Sequence, residues 1–310
     1  MWIKKGVLIN IQNHNDWMVS HACVPTAINI DETTTRIFYA PRNNNGKSIP
    51  TYFDVDAANP TKVKYIHDKP ILELGQLGTF DDGGIMPCSA VRISDSCIYL
   101  YYVGWNPSVS VPYRNAIGLA VSNDNGQTFD RAFPGAIVER NKHEPFFTAS
   151  PYVIKENDKW HLWYASSTGF VIVNGKPEPL YEIKYAHSFD GIDWIRPNIT
   201  CIPPSKKYEC TARPTVIKEN GIYKMWFTFR GSFDYRDGAE SYKIGYAESK
   251  DAINWVRRDE LGRIQPSEEG WDSKMQTYPS VIIIRGRKYL FYNGNGFGKT
   301  GIGLAEWIAE

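Results

Sequence analysis

The sequence predicts an all-β fold, a five-bladed β-propeller of four-stranded antiparallel blades with the ring closed by the N-terminal strand. Three observations predict it: a strand-turn-strand unit recurs five times, the copies are almost evenly spaced, and the N-terminus reads as the strand that the last copy lacks. Each copy is marked by a proline followed by a short β-branched or apolar run: Val24-Pro25-Thr26-Ala27-Ile28, Met86-Pro87-Cys88-Ser89-Ala90-Val91, Ser150-Pro151-Tyr152-Val153-Ile154, Arg213-Pro214-Thr215-Val216-Ile217 and Tyr278-Pro279-Ser280-Val281-Ile282. Successive prolines are separated by 62, 64, 63 and 65 residues.

The remaining strands follow in order within each copy. Past a polar turn such as Lys155-Glu156-Asn157-Asp158 comes an aromatic strand that alternates as strands do, exemplified by Trp160-His161-Leu162-Trp163-Tyr164 and Tyr223-Lys224-Met225-Trp226-Phe227. A third strand reads Ile117-Gly118-Leu119-Ala120, Ile183-Lys184-Tyr185-Ala186, Ile244-Gly245-Tyr246-Ala247 and Ile302-Gly303-Leu304-Ala305; in the first copy Thr51 to Val55 takes its place. A fourth begins at the aromatic that closes the next turn, as at Trp194-Ile195-Arg196 and Trp255-Val256-Arg257. The fifth copy ends before its fourth strand, and Met1-Trp2-Ile3-Lys4-Lys5 resembles the missing piece. Closure by the N-terminus removes exposed sheet edges. One domain over 1–310 is expected, with blades near 19–76, 80–140, 144–206, 208–268 and 271–307 plus 1–11.

Bulk properties narrow the function. Of 310 residues, 14% are aromatic, which suits strands better than helices. A net charge of +1 gives no electrostatic case for nucleic acid or an anionic membrane. No apolar run is long enough to span a bilayer, and the N-terminus lacks a signal-peptide pattern. Five cysteines without CxxC spacing, Cys23, Cys88, Cys97, Cys201 and Cys210, read as reduced thiols of a cytoplasmic protein. Walker, GxGxxG, HExxH and GxSxG motifs are missing. No cofactor is expected; a calcium ion in the funnel is compatible with the fold, though no ligand spacing demands it.

In a propeller the first strand of every blade lines the axis, so residues just upstream of each proline converge on one mouth. Those stretches hold His21 in blade one, Asp81 and Asp82 in blade two, Glu144 in blade three, Glu209 and Arg213 in blade four, and Asp272, Gln276 and Tyr278 in blade five. This arrangement resembles the five-bladed propeller glycosidases, the superfamily containing glycoside hydrolase families 32, 43 and 130. The residues that carry the likeness are the five proline anchors, the aromatic second strands and the turn Asp190-Gly191-Ile192-Asp193-Trp194. More narrowly, Phe80 to Pro87, Glu269 to Pro279 and Asn293 to Gly298 are similar to glycosidase-like proteins of bacterial surface-polysaccharide synthesis.

The resemblance implies a hydrolase acting on a carbohydrate or nucleotide-sugar ligand. Glycoside cleavage takes one carboxylic acid to protonate the leaving oxygen and a second as base or nucleophile, and Asp82, Glu209 and Asp272 are the candidates. Families like family 43 place a base aspartate on the first blade, a tuning aspartate on the second and the acid glutamate on the third. His21 replaces the first of these, a departure from the pattern. Each candidate has a plainer reading: Asp81-Asp82-Gly83-Gly84 and Asp272 are good turn chemistry, Glu209 and Arg213 could form a salt bridge, and His21 could be structural.

Binding residues are expected where second strands return to the same mouth: Arg42, Trp105, Arg230, Asn293 and Asn295. Trp105 could stack on a sugar ring, whereas Trp163, Trp194, Trp226 and Trp255 fit packing between blades. Arg42, Arg213 and Arg230, from separate blades, could clamp a carboxylate or phosphate. Ser122 to Phe129 is similar to the Asp box of sialidases, which have six blades where five anchors are counted here.

Overall fold

The computed structural model describes residues 1–308 and contains five four-stranded antiparallel sheets arranged as the blades of a propeller. Blade one is β2 (Ser20–Asn29), β3 (Thr34–Arg42), β4 (Thr51–Asp56) and β5 (Val63–Ile66). Blade two is β6 (Gly84–Arg92), β7 (Ile98–Pro107), β8 (Tyr113–Ser122) and β9 (Asp130–Arg131). Blade three is β10 (Thr148–Glu156), β11 (Lys159–Val173), β12 (Lys176–Ser188) and β13 (Ile195–Ile202). Blade four is β14 (Cys210–Glu219), β15 (Ile222–Arg230), β16 (Lys243–Ser249) and β17 (Trp255–Arg257). Blade five is β18 (Thr277–Ile284), β19 (Arg287–Asn293) and β20 (Ile302–Trp307), and β1 (Trp2–Ile9) pairs with β20 as its outermost strand. The N-terminal closure therefore follows the sequence reading, as does Thr51 to Val55 in the third strand of blade one.

The inner strands β2, β6, β10, β14 and β18 each contact the next around the axis. The hydroxyl residue at or just beyond the proline stitches them. Ser280 Oγ accepts from the Ala27 amide at 3.0 Å, Thr215 Oγ1 accepts from the Val281 amide at 3.1 Å, Ser89 Oγ accepts from the Val153 amide at 3.0 Å, and Thr26 Oγ1 donates to the Pro87 carbonyl at 3.1 Å. Three of these bonds are buried and the Ser280 one is partly buried, and all reach across the blade boundary, so the Pro-Ser/Thr repeat read from the sequence is also the inter-blade fastening. Each is worth ~1 kcal/mol net.

Between the blades lies an aromatic core. Trp163 and Trp255 both donate to the Ala252 carbonyl, and Trp2 and Trp226 both donate to Gly262. One element departs from expectation: the third strand of blade three runs over Lys176–Ser188 instead of Ile183 to Ala186, because β11 and β12 continue as a long hairpin. No described helix is long and apolar enough to cross a membrane. All five cysteines are free.

Candidate ligand-binding funnel

Every inner strand is irregular at its proline. Register shifts interrupt each inner pair there, and the residue before the proline has positive φ in four blades: Val24 at 59°, Ser150 at 49°, Arg213 at 49° and Tyr278 at 55°. Left-handed backbone is rare outside glycine and is a genuine outlier for a β-branched valine. Each costs ~1–3 kcal/mol and persists only where the surroundings enforce it. At Val24 the enforcement is visible: Asn293 Oδ1 accepts from the Val24 amide at 2.9 Å while its Nδ2 donates to the Ala22 and Gly301 carbonyls. The bulge turns the pre-proline side chain toward the axis. Val24, Met86, Ser150, Arg213 and Tyr278, one from each blade, all line a single cavity of about 340 Å³.

Three further groups complete the wall. Arg42, Trp105 and Asn115 come from β3, β7 and β8; Phe147, Tyr181 and Ala165 come from blade three; Tyr235, Arg236 and Tyr242 come from the loop between β15 and β16. Trp105 lies where it does because Gly84 has no side chain: a Cβ there would stand 2.2 Å from Trp105 Nε1. Among the described residues no aspartate or glutamate lines the cavity.

Arg42, Trp105, Arg213 and Tyr278 are thus brought together as the sequence suggested. Arg213 Nη1 donates to the Cys88 carbonyl at 2.7 Å, and Nη2 donates to the Pro25 carbonyl at 2.9 Å and to Thr26 Oγ1 at 3.0 Å, so a blade-four side chain ties blades one and two at the axis. Arg230 belongs behind the wall. Its Nε donates to the Tyr181 and Tyr242 hydroxyls, and its other nitrogens to Gly231, Ser232 and Pro179; its carbon Cζ lies 3.9 Å from the centre of the Tyr235 ring. It props up the aromatic wall and has no place in a clamp.

The expectation that Asp82, Glu209 and Asp272 share one site is corrected. None of them lines this cavity, and two of them belong to a repeated device that also takes in Asp81 and Glu144. In blade two, Asp81 accepts from Tyr102 at 3.0 Å and pairs with Arg131 at 2.8 Å. In blade three, Glu144 accepts from Tyr164 at 2.8 Å and pairs with Arg196 at 3.1 Å. In blade five, Asp272 accepts from Tyr292 at 2.9 Å and pairs with Lys4 at 2.6 Å. In blade four, Glu209 pairs with Arg257 at 3.0 Å, and Phe227 stands where the tyrosine would be. In blades two, three and five the carboxylate thus clasps the second strand to the outermost one, while Glu209 holds only the outermost.

The Glu209–Arg213 salt bridge is likewise corrected, since the bulge commits Arg213 to the axis and Glu209 takes Arg257. Blade one has no such clasp: Met18 is fully buried and the hydroxyl of buried Tyr39 has no partner among the described residues. A sequence signal for the clasps exists, an aromatic-x-basic triplet opening the fourth strand: Phe129-Asp130-Arg131, Trp194-Ile195-Arg196, Trp255-Val256-Arg257 and Trp2-Ile3-Lys4.

The remaining candidates also lie outside the wall. Asp82 Oδ2 accepts from the Gly78 amide, closing the turn the sequence allowed. Burial alone would raise the Asp272 carboxyl, but hydrogen bonds from Lys4, Ser267, Gln276 and Tyr292 hold it below the usual aspartate value, which suits an ion-pair partner better than a proton donor. Gln276 donates to Asp272 and to Gln265, and Asn295 accepts from the Lys274 and Met275 amides, so both order the loop before β18. His21 touches Ser20 Oγ at 2.9 Å; burial, then Arg42, then Lys299 lower its pKa to about 4, which keeps it neutral near pH 7. The sialidase-like turn is a repeat as well: Ser122–Asp124, Ser188–Asp190 and Ser249–Asp251 form the same hydroxyl-carboxylate bond between third and fourth strands. No group of three or more His, Cys, Asp or Glu is placed to hold a metal ion among the described residues.

The sequence is 35% identical over 305 residues to the uncharacterized protein Rv1502 of Mycobacterium tuberculosis (strain ATCC 25618 / H37Rv), covering 98% of both chains. The chain belongs to that family. Protein MT1551 of Mycobacterium tuberculosis (strain CDC 1551 / Oshkosh), another member, is 35% identical over 305 residues, again 98% of both chains. No family model matches the sequence. In structure, the family fold represented here is similar to a glycoside hydrolase, with a TM-score of 0.75 at 15% identity over 99% of this chain and 92% of that one. It is similar to a thermostable family-43 glycoside hydrolase, with a TM-score of 0.68 at 14% identity over 96% and 93%. A family-130 structure, from a family of mannoside phosphorylases containing glycoside hydrolases that target β-1,2 mannosidic linkages in Candida mannan, gives 0.72 at 14% identity over 99% and 93%. The family therefore has the five-bladed propeller fold of those glycoside hydrolases.

Proposed function

We propose that the protein is a carbohydrate-active, glycoside hydrolase-like enzyme that acts on a glycosidic or activated-sugar bond held in the funnel. The observation that carries this reading is the single cavity to which all five blades contribute, walled by Trp105, Phe147, Tyr181 and Tyr242 and edged by Ser48, Asn115, Ser150 and Thr228. Aromatic faces suit the apolar faces of sugar rings, and hydroxyls and amides suit their hydroxyl fans. Its volume lies within the usual range for small-molecule sites.

An activated sugar fits this wall better than a simple glycoside. Protonating an alkoxide leaving group takes a carboxylic acid, and none lines the cavity among the described residues. When the anomeric C–O bond of a sugar phosphate or nucleotide sugar breaks and the glycosyl group passes to an acceptor such as water, the phosphate or nucleoside diphosphate departs as a stable anion and asks chiefly for charge stabilisation, which guanidinium groups supply. Surface-polysaccharide metabolism in a bacterial cytoplasm is the setting this reading favours, and free buried thiols are at home in a reducing compartment. The same bare wall favours a second reading, a sugar- or nucleotide-sugar-binding propeller without catalysis.

The test is to screen purified protein against neutral oligosaccharides, sugar phosphates and nucleotide sugars, following heat of binding and product release together. Release of sugar from an activated donor, lost in Trp105→Ala, supports the enzyme; tight binding without product from any donor selects the second reading. No binding of any carbohydrate overturns both.

A further inference from the structure

We infer that the floor of the funnel is an oxyanion subsite built by Arg42 and Arg213, so that the sugar it takes carries a phosphate or carboxylate group. The inference rests on the carbohydrate reading above and names its substrate class.

Of the cationic side chains at the cavity, these two alone lack a carboxylate among the described residues; Arg236 is paired with Glu178 at 3.0 Å. Arg213 is 1% exposed, and burial, the first cause, lowers its pKa, with Cys88, Tyr152 and Tyr278 its only other influential neighbours. A buried guanidinium surrounded by neutral groups is costly unless something negative arrives to pair with it.

Both guanidinium groups border the cavity and carry donors that the protein leaves unused. Three of the five N–H donors of Arg213 are used on Cys88, Pro25 and Thr26, and its Nε has no partner. Arg42 Nε is likewise buried and without a partner. By contrast Arg230 has partners at all three nitrogens, all oxygens of the protein itself. Arg42 and Arg213 line the same cavity, and Arg213 Nη2 reaches the Pro25 carbonyl on β2, the strand paired with β3, which ends in Arg42. Asn115 Oδ1, also lining the cavity, is a buried acceptor without a partner. Two cationic donors and one neutral acceptor match an oxyanion and a hydroxyl on the same ligand.

The experiment is calorimetric titration of the whole protein with glucose, glucuronate, glucose 1-phosphate, UDP-glucose and inorganic phosphate, at low and high salt, repeated with Arg42→Gln. Arg42 makes no ion pair, so this variant folds with little change, and its melting curve verifies that; Arg42→Lys keeps the charge and loses the planar fork. We expect an anionic sugar to bind at least 10-fold more tightly than glucose, Arg42→Gln to erase about 10- to 100-fold of that affinity, Arg42→Lys to recover part of it, and added salt to weaken it. The glucuronate and phosphate arms separate a carboxylate from a phosphoryl ligand. Glucose binding as tightly as its charged counterparts, or an anionic sugar indifferent to Arg42→Gln, overturns the subsite and leaves the carbohydrate reading standing. Phosphate bound at Arg42 with no sugar bound at all overturns the carbohydrate reading and keeps the anion site.

Discussion

Replacing Asp272 by asparagine separates a clasp from a catalyst. The carboxylate is wholly buried and accepts from Lys4 Nζ at 2.6 Å, Gln276 Nε2 at 2.8 Å and Tyr292 at 2.9 Å, while the Lys4 side chain keeps 25% of its exposure. Removing one member of a buried ion pair costs ~3–5 kcal/mol. Because Lys4 can turn back toward water, the lower end, ~3 kcal/mol, is expected for Asp272→Asn. With an unfolding entropy near 2 cal/mol/K per residue, a chain of this length would melt ~5 °C lower. The loss should be shared with the partner: in a double-mutant cycle, adding Lys4→Met to Asp272→Asn should cost much less than Lys4→Met alone. Thermal melts of the four proteins, with ligand binding measured at 20–25 °C on each, decide the matter. An Asp272→Asn protein that melts like the parent but no longer binds or turns over ligand would return this residue to the site and refute the clasp.

Other outcomes follow from the same geometry. Tyr39→Phe should be neutral or slightly stabilising, since the Tyr39 hydroxyl has no partner, whereas Tyr164→Phe should cost ~1–2 kcal/mol by leaving Glu144 short of a donor; urea unfolding of the pair gives the comparison. Gly84→Ala should displace the Trp105 ring and weaken ligand binding with little loss of secondary structure, read by tryptophan fluorescence and calorimetry. Asn293→Ala should cost ~2–4 kcal/mol, because it frees the Val24 bulge and orphans two carbonyls, and should loosen ligand binding too. Burial, then Lys159, lower the buried His161 to about 4, against 6.5 in the unfolded chain. The unfolded state therefore takes up a proton first, and stability should fall by at most ~3 kcal/mol as pH drops from about 6.5 to about 4, with no His161 slope above that window. His161→Gln should flatten this acid limb in urea midpoints measured from pH 7 to 4.5.

The propeller was legible because its signals are local. A proline, a β-branched run, a turn and an aromatic strand can all be read within about 25 residues, and their five-fold recurrence excludes most other topologies. Arg213 and Tyr278 were legible for a related reason: each directly precedes a proline, where the bulge rotates it into the funnel. Val24, Met86 and Ser150 occupy the same position, but their modest side chains drew no notice.

The carboxylates were misread because sequence fixes where a residue sits along the chain and not which way its side chain turns. Asp81, Glu144, Glu209 and Asp272 all precede inner strands, yet each faces a basic residue on its blade's own outer strand, at separations from 48 to 52 residues, and for Asp272 across the chain to Lys4. Tyr181, Tyr235, Arg236 and Tyr242 were out of reach altogether: they enter from a hairpin extension and a loop whose course depends on tertiary packing.

A crystal structure of the protein with glucose 1-phosphate tests the central claim most directly. The sugar should occupy the funnel beside Trp105, with phosphate oxygens within hydrogen-bond distance of Arg42 and Arg213. Ligand seated at any other surface, or a funnel in which Arg42 turns away from the phosphate, would contradict it.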